Sequence, residues 1–147
     1  MIRPATIDDA ETIVDMAVES VGKRGPVLPV RRDKIAAVVV GGILQGDRHF
    51  FMVDECDGRI AAVLGALVHP GFWFDGDQAN VMVFYSRGAP YAAGAALIRR
   101  FAAWTKVRPD IRLATFSLEP DADPRIRSFL QKLGFTDEHP QLAFVKR

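Results

Sequence analysis

The stretch that decides the fold is residues 80–98, NVMVFYSRGAPYAAGAALI. Residues 80–85 are rich in β-branched and aromatic side chains, which predicts a strand. Residues 86–90 contain Gly and Pro and predict a turn, after which apolar residues at helical spacing predict a helix ending near Lys106. The apolar face of this helix consists of Ala93, Leu97, Ile98, Phe101 and Trp104. A strand over 111–118 should follow, so the unit is a crossover between parallel neighbours.

The chain before this unit begins with an extended segment and continues with helical patterns. Residues 2–5 predict a short strand, and Thr6 has the residue type of a helix N-cap. Apolar residues at helical spacing predict one helix over 7–20 and a second over 32–45. A loop over 22–29, which contains Gly and Pro, should separate them. The first third of the chain therefore contributes one strand and two helices.

The middle of the chain is predicted to be extended. Residues 49–54 and 60–69 predict two strands, and the turn between them contains Asp57-Gly58, a frequent hairpin sequence. A connection over 70–78 then leads to the strand that opens the deciding stretch. These strands are consecutive and closely spaced, so we expect an antiparallel meander.

The C-terminal part predicts one more helix. Asp123 and Pro124 have the N-cap and first-residue pattern of a helix start, and Gly134 marks its end in a left-handed conformation. Residues from Phe135 onward and 141–146 predict a final short pair of strands. We therefore expect a single α/β domain over residues 1–147, with a mixed sheet of about six to seven strands and helices on both faces.

Composition excludes several classes of protein. Nineteen Lys and Arg against 18 Asp and Glu give a net charge of +1, which offers no general attraction for a nucleic acid. The single cysteine, Cys56, excludes an internal disulfide and a cysteine-rich zinc site, and the histidine spacing does not indicate a metal. No apolar run matches a membrane span or a signal peptide, so we expect a cytoplasmic protein with no metal and no membrane contact.

The turn at 86–94 offers a place for an anion. Small residues in the first turn of the following helix leave its free backbone N–H groups accessible. A pyrophosphate can bind to such groups, and Arg87 is placed to donate a charge-assisted hydrogen bond. The alternative is that the small residues only let the helix pack closely on the sheet.

Three segments resemble the GCN5-related N-acetyltransferase (GNAT) family, in the family's order. They are IRPATIDDA at 2–10, GAALIR at 94–99 and LQKLGF at 130–135. The resemblance covers nearly the whole chain and implies the GNAT fold. It also implies that acetyl-CoA binds between the fourth and fifth strands and that an acceptor amine attacks the thioester directly. The residues implied in binding acetyl-CoA are Val83, Phe84, Tyr85, Arg87, Gly88, Ala89, Tyr91, Ala92, Ala93, Gly94 and Ala95.

The chain departs from the family at the groups that move protons. Leu130 stands where the family often has a tyrosine that protonates the leaving thiolate, and the fourth strand lacks the family's glutamate. We therefore predict Tyr85 as the proton donor, with Tyr91 as a second candidate. The alternative for Tyr85 is a sheet-end aromatic with its hydroxyl in water. The loop also departs from the family's Gln/Arg-x-x-Gly-x-Gly/Ala pattern in either of two alignments. One alignment places Ala89 at the basic position, and the other places Pro90 at the first glycine.

The predicted function is an acetyl-CoA-dependent N-acetyltransferase whose acceptor is an amine on a small molecule or a protein. One alternative is a silent GNAT-like domain that binds CoA or a protein partner without catalysis. Another is an interaction module that uses the aromatic run Phe72-Trp73-Phe74, a run that could also form a homodimer contact. A basic rim is formed by Lys23, Arg24, Arg31 and Arg32. This rim would favour an acidic or aromatic acceptor. The alternative is that these residues are only a solvated run of charges.

Overall fold

The computed structural model describes residues 1–25, 28–88, 91–118 and 122–146, and it describes Tyr91 without its side chain. Its strands are β1 (Ile2–Pro4), β2 (Phe50–Cys56), β3 (Arg59–Pro70), β4 (Asp77–Ser86) and β5 (Ile111–Thr115). Its helices are α1 (Ala10–Arg24), α2 (Arg32–Leu44), α3 (Tyr91–Lys106) and α4 (Pro124–Lys132), and a 3₁₀ turn at Ile7–Asp9 precedes α1.

The five strands form one mixed sheet in the order β1-β2-β3-β4-β5. Pairing is antiparallel from β1 to β4, whereas β4 and β5 are parallel and joined through α3. Asp57 and Gly58 join β2 to β3 with φ values of 52° and 73°. Both are positive, as a two-residue turn of type I′ requires. The predicted meander, hairpin and crossover are confirmed.

Each face of the sheet carries its own apolar cluster, and helices cover both faces as predicted. The cluster on the α3–α4 face includes Phe50, Leu64, Leu97, Phe101 and Leu130. The cluster on the α1–α2 face includes Ile13, Met16, Val39, Phe51, Val53, Val63 and Val83. Successive strand residues point to opposite faces, so the neighbours Phe50 and Phe51 belong to different clusters.

The Phe51 ring is held between two glycines. A Cβ added at Gly42 of α2 would overlap the ring, and one added at Gly65 of β3 would lie 2.5 Å from its Cε1 atom. Gly41, the neighbour of Gly42, has open space where its Cβ would be. Glycine has a low helix propensity, so close packing on Phe51 explains why α2 contains one at position 42.

An ion network fixes the start of the chain on the sheet. The Arg3 guanidinium donates to Asp9 at 2.7 and 3.0 Å and to Glu55 at 2.5 Å. The backbone N–H of Thr6 donates to the same Asp9 carboxylate at 2.7 Å, which confirms Thr6 as the residue that begins the helical segment. Hydrogen bonding to Arg3 lowers the pKa of Asp9 to about 2.

The sheet has fewer strands than the sequence predicts. Five strands are present in the described residues, not six to seven, and no residue of 135–146 belongs to a strand. The expectation rested on alternating apolar residues, but Leu142 and Phe144 are 101% and 94% exposed. An alternating pattern stabilises a strand only where a neighbour pairs its backbone and one face is buried. Phe135 instead stacks on Phe101, with ring centroids 6.2 Å apart.

Three element ends differ from the predictions by three or four residues. Helix α1 continues to Arg24, where a loop was expected, and ends at Gly25 with φ of 69°. Strand β4 begins at Asp77, earlier than expected, and β5 ends at Thr115 rather than at residue 118. Strand β5 stops early because its partner turns away, and this divergence creates the candidate site.

Candidate functional site

Strands β4 and β5 form a fork. They pair from Asp77 with Ile111 to Asn80 with Thr115, and no later pair joins them in the described residues. Strand β4 nevertheless continues to Ser86 and stays paired with β3. The backbone edge of β4 that faces β5 therefore lies along an opening beyond Asn80.

A β-bulge bends β4 at the fork. Gly65 of β3 pairs with Val83 and the next residue, Ala66, pairs with Val81, so Met82 is an extra residue in β4. The bulge also changes which face the side chains cover. Val81 packs on the α3–α4 cluster and Val83 on the α1–α2 cluster, although they are two positions apart. Such an insertion bends the strand that carries it, which accounts for the divergence of β4 from β5.

A cavity of about 250 Å³ occupies the opening of the fork. Its walls come from α1, from β4 around the bulge, from the segment after β5 and from the start of α4. The lining residues are Ser20, Arg24, Val81, Met82, Phe84, Phe116, Ser117, Leu118, Ala122 and Ile126. Most of these side chains are apolar, as is usual for a small-molecule site. None of the ten carries a carboxylate, an imidazole or a phenol.

Most of this lining was missed by the sequence analysis. Of the predicted site residues that the structure describes, only Phe84 lines the cavity. Phe116, Ser117 and Leu118 were expected to continue β5 and instead form one wall. The bulge at Met82 separates the strands, and no glycine or proline in β4 signals it.

The turn after β4 and the start of α3 lie beside the fork. The backbone N–H of Arg87 donates to Ala61 at 2.8 Å, and Gly88 has φ of 60°. Ala89 and Pro90 lie outside the described residues, as does the side chain of Tyr91. Ala92, Ala93, Gly94 and Ala95 are in the first turns of α3. Helix α3 therefore begins where the sequence predicts, directly after residues 86–90.

Gly94 has a packing role of its own. A Cβ at this position would lie 3.0 Å from Cζ of Phe84 and 3.4 Å from Oγ of Ser86. The glycine therefore lets α3 approach the end of β4 closely. This observation supports the alternative explanation for the small residues, and it does not conflict with an anion at the helix start.

Arg87 is held by α1. Its guanidinium donates to the Glu19 carboxylate at 2.6 and 3.2 Å. Both side chains are about two-fifths exposed, at 41% and 44%. The arginine is near the predicted phosphate site, but its guanidinium would have to release the Glu19 carboxylate before it could bind a phosphate.

Tyr85 packs on the α1–α2 face rather than in the cavity wall. The Lys23 ammonium lies 5.0 Å from the centre of the Tyr85 ring. Hydrogen bonding to Tyr85 raises the pKa of Lys23 above its usual value. Tyr85 is partly buried against the cluster that contains Val83. Its predicted role as a proton donor stays a prediction.

Two further positions that the sequence singles out, Leu130 and Asp123, have structural roles. Leu130 is 3% exposed and belongs to the core on the α3–α4 face. Asp123 caps α4, and its side chain accepts a hydrogen bond from the backbone N–H of Arg125 at 2.9 Å. Bonds from Arg125 lower the pKa of Asp123. The helix-cap interpretation of Asp123 is confirmed.

Two residues of the predicted basic rim form ion pairs. Arg31 pairs with Asp33 at 2.7 Å, and Arg32 pairs with Asp15 at 2.6 Å. These pairs weaken the argument for an acidic acceptor. In the aromatic run, Phe72 and Trp73 are 82% and 87% exposed and contact each other edge to face.

Two further properties concern metals and membranes. In the described parts of the chain, no three His, Cys, Asp or Glu side chains come together as a metal site would require. No helix within those parts has both the length and the apolar character that crossing a bilayer demands.

The structure is similar to solved structures over nearly its full length. A predicted acetyltransferase from Clostridium acetobutylicum, crystallised with acetyl-CoA, has a TM-score of 0.76 against this chain. The two sequences are 14% identical over 99% of this chain and 95% of that one. A possible acetyltransferase from Clostridium difficile 630 has a TM-score of 0.74, with 13% identity over 100% and 97%. A transcriptional regulator from Bacillus halodurans C-125 has a TM-score of 0.72, with 21% identity over 99% of both chains.

The likeness is one of fold. No protein-family model and no curated protein matches the sequence. All three identities are below 25%, so the solved structures establish a shared architecture and leave the activity to be argued from the site.

Proposed function

We propose that this chain, which has the fold of the GNAT acetyltransferases, binds acetyl-CoA in the fork between β4 and β5 and transfers its acetyl group to an amine. The observation that carries the proposal is the fork itself. A cavity lined mostly by apolar side chains, with Arg24 also in its wall, opens where two parallel strands part, beside the start of a helix that follows the first of them. The acetyl-CoA bound to the Clostridium acetobutylicum neighbour supports the choice of ligand.

Two parts of acetyl-CoA, its amide-bearing arm and its pyrophosphate, match the chemistry of the fork. Its amide-bearing arm can hydrogen-bond to the backbone edge of β4 beyond Asn80, because β5 no longer pairs there. Its pyrophosphate suits the start of α3, where the first turn of a helix presents free N–H groups and the positive end of the dipole. The contacts proposed for the cofactor arm therefore lie along the edge of β4 beyond Asn80, and those proposed for the pyrophosphate lie within residues 87–95.

The transfer needs few side chains. The neutral amine attacks the thioester carbonyl carbon, the C–N bond forms, and the C–S bond then breaks. The thiolate sulfur accepts one proton and the former amine loses one to water. A backbone N–H on the free edge of β4 can stabilise the oxyanion, and positioning supplies much of the remaining rate. We propose Tyr85 as the donor to sulfur, which requires the thioester to reach past the cavity wall toward α1.

A specific observation favours a second function, binding without transfer. The described cavity lining contains no side chain that exchanges protons near neutral pH. A silent domain would bind acetyl-CoA in the same fork and leave it intact. This candidate differs from the enzyme only in turnover.

Two measurements on the wild-type protein test these functions. At about 100 times its dissociation constant, acetyl-CoA should stabilise the fold by roughly 2.7 kcal/mol, seen as a rise in melting temperature. Release of free thiol from acetyl-CoA is then followed with a panel of amines that includes amino acids, amino sugars and peptides. Thiol release with an amine supports the enzyme, stabilisation without release supports the silent domain, and no stabilisation contradicts both.

Arg87→Ala is expected to weaken acetyl-CoA binding by about 1.5 kcal/mol, the low end for a hydrogen bond to a charged group. The loss is at the low end because the arginine gives up Glu19 when it binds phosphate. Glu19→Gln is the matched control, since it frees the guanidinium and should leave affinity equal or higher. Calorimetric titration measures both, and an unchanged dissociation constant in Arg87→Ala would restrict Arg87 to its pair with Glu19.

A further inference from the structure

A side-chain bridge crosses from β4 to β5 at the last residue pair before the fork. Asn80 and Thr115 form that pair. The Thr115 hydroxyl donates to Oδ1 of Asn80 at 2.5 Å. Gln78 donates to the same oxygen at 2.8 Å, and the Asn80 amide nitrogen lies 2.6 Å from Nε2 of His69. We call these four residues, His69, Gln78, Asn80 and Thr115, the polar clasp.

With a neutral His69 ring, donor and acceptor chemistry assigns one orientation to the clasp. The carbonyl of Pro70 lies 3.0 Å from Nδ1 of His69 and can only accept, so Nδ1 carries the proton. Nε2 of the neutral ring is then an acceptor, and the Asn80 amide donates to it. This leaves Oδ1 of Asn80 facing the two donors Gln78 and Thr115. Each hydrogen bond therefore has one donor and one acceptor.

The clasp lies on the α1–α2 face of the sheet, one residue from the cavity. Ala79 and Val81 pack on the opposite cluster, so Asn80 between them faces away from it. Ala114 and Phe116 pack on that opposite cluster too, which places Thr115 beside Asn80. Val81 and Phe116, the next residues along the two strands, line the cavity.

Backbone pairing alone ties these strands together weakly. Only four register pairs join β4 to β5, and an irregularity interrupts them between Asp77 and Gln78. The bond from Thr115 to Asn80 is thus a substantial part of what holds the C-terminal end of β5 against β4. Beyond it, no register pair joins the two strands in the described residues, and the Phe84 and Phe116 rings contact each other across the opening with centroids 5.3 Å apart.

We propose that Asn80 and Thr115 are positioning residues for acetyl-CoA. Their hydrogen bond fixes the point where the strands part, and so sets the width of the cavity between Val81 and Phe116. His69 and Gln78 hold the Asn80 amide in the orientation that the bond requires. This inference rests on the proposed function, because it concerns the width of the same cavity.

Removal of the Thr115 hydroxyl tests the clasp. Thr115→Val keeps the shape of the side chain and should raise the dissociation constant of acetyl-CoA about fivefold. Thr115→Ser restores the hydroxyl and should bind within about twofold of the wild type. Thr105→Val is the matched control, because it removes a hydroxyl that bonds only to the Phe101 carbonyl within α3. In a turnover assay, Thr115→Val should raise KM for acetyl-CoA and leave kcat unchanged.

The outcomes separate this inference from the proposed function. If the wild type binds no acetyl-CoA, both are overturned. If the wild type binds and Thr115→Val binds equally well, only the clasp is overturned. A parallel loss in Thr105→Val would also overturn it, because the effect would then be a general one of lost stability. Thr115→Ala serves as a second variant if Thr115→Val does not fold, and the same fivefold rise is expected of it.

Discussion

Tyr85→Phe is expected to lower turnover by roughly 10²–10⁴ while the affinity for acetyl-CoA stays near that of the wild type. The change removes one hydroxyl and keeps the ring that packs on the α1–α2 cluster. If that hydroxyl gives its proton to the leaving thiolate, only the chemical step loses stabilisation. Steady-state thiol release with the best amine of the panel measures turnover, and calorimetric titration measures affinity.

A small effect would assign Tyr85 a different role. A drop of less than about threefold would place the hydroxyl outside the chemistry, with water as the proton donor. Lys23→Met is the companion variant, because it removes the ammonium next to the Tyr85 ring and retains an unbranched side chain. If both variants retain turnover and affinity, the contact between Lys23 and Tyr85 is only structural.

Gly42→Ala should destabilise the fold by about 2–3 kcal/mol, because the new Cβ would overlap the Phe51 ring. The ring cannot move away easily, since Gly65 holds it from the other side. Gly41→Ala is the matched control at the next position of the same helix. Its Cβ would meet open space, so alanine should stabilise the helix by about 0.5–1 kcal/mol.

Urea denaturation of the two variants gives the free energies of unfolding. If Gly42→Ala lowers the free energy of unfolding and Gly41→Ala raises it, the Phe51 contact, and not helix propensity, requires the glycine at position 42. Stabilisation by both alanines would contradict this explanation and would mean that the ring has room to shift.

Local signals in the sequence predict most of the fold. The hairpin at Asp57 and Gly58, the crossover through α3 and the cap at Asp123 each depend on residues close together in the chain. The predicted strand at 141–146 is wrong because that prediction also used only local signals. Its alternation is local, but a strand also needs a partner, which alternation cannot supply.

The candidate site depends on contacts that are distant in sequence. Arg87 and Glu19 are 68 residues apart, so the sequence suggests a free arginine where the structure has an ion pair. The cavity depends on the bulge at Met82, which only the register between β3 and β4 reveals. The sequence located the start of α3, and the resemblance predicted a site between the fourth and fifth strands, where the structure has a cavity, but neither identified the cavity wall after β5.

A crystal structure of the protein with CoA tests the central claim most directly. The account predicts the cofactor arm between β5 and the edge of β4 beyond Asn80. It also predicts the pyrophosphate on backbone N–H groups between Arg87 and Ala95. CoA bound at another surface, or a fork without CoA at a concentration that saturates the protein in solution, would contradict the account.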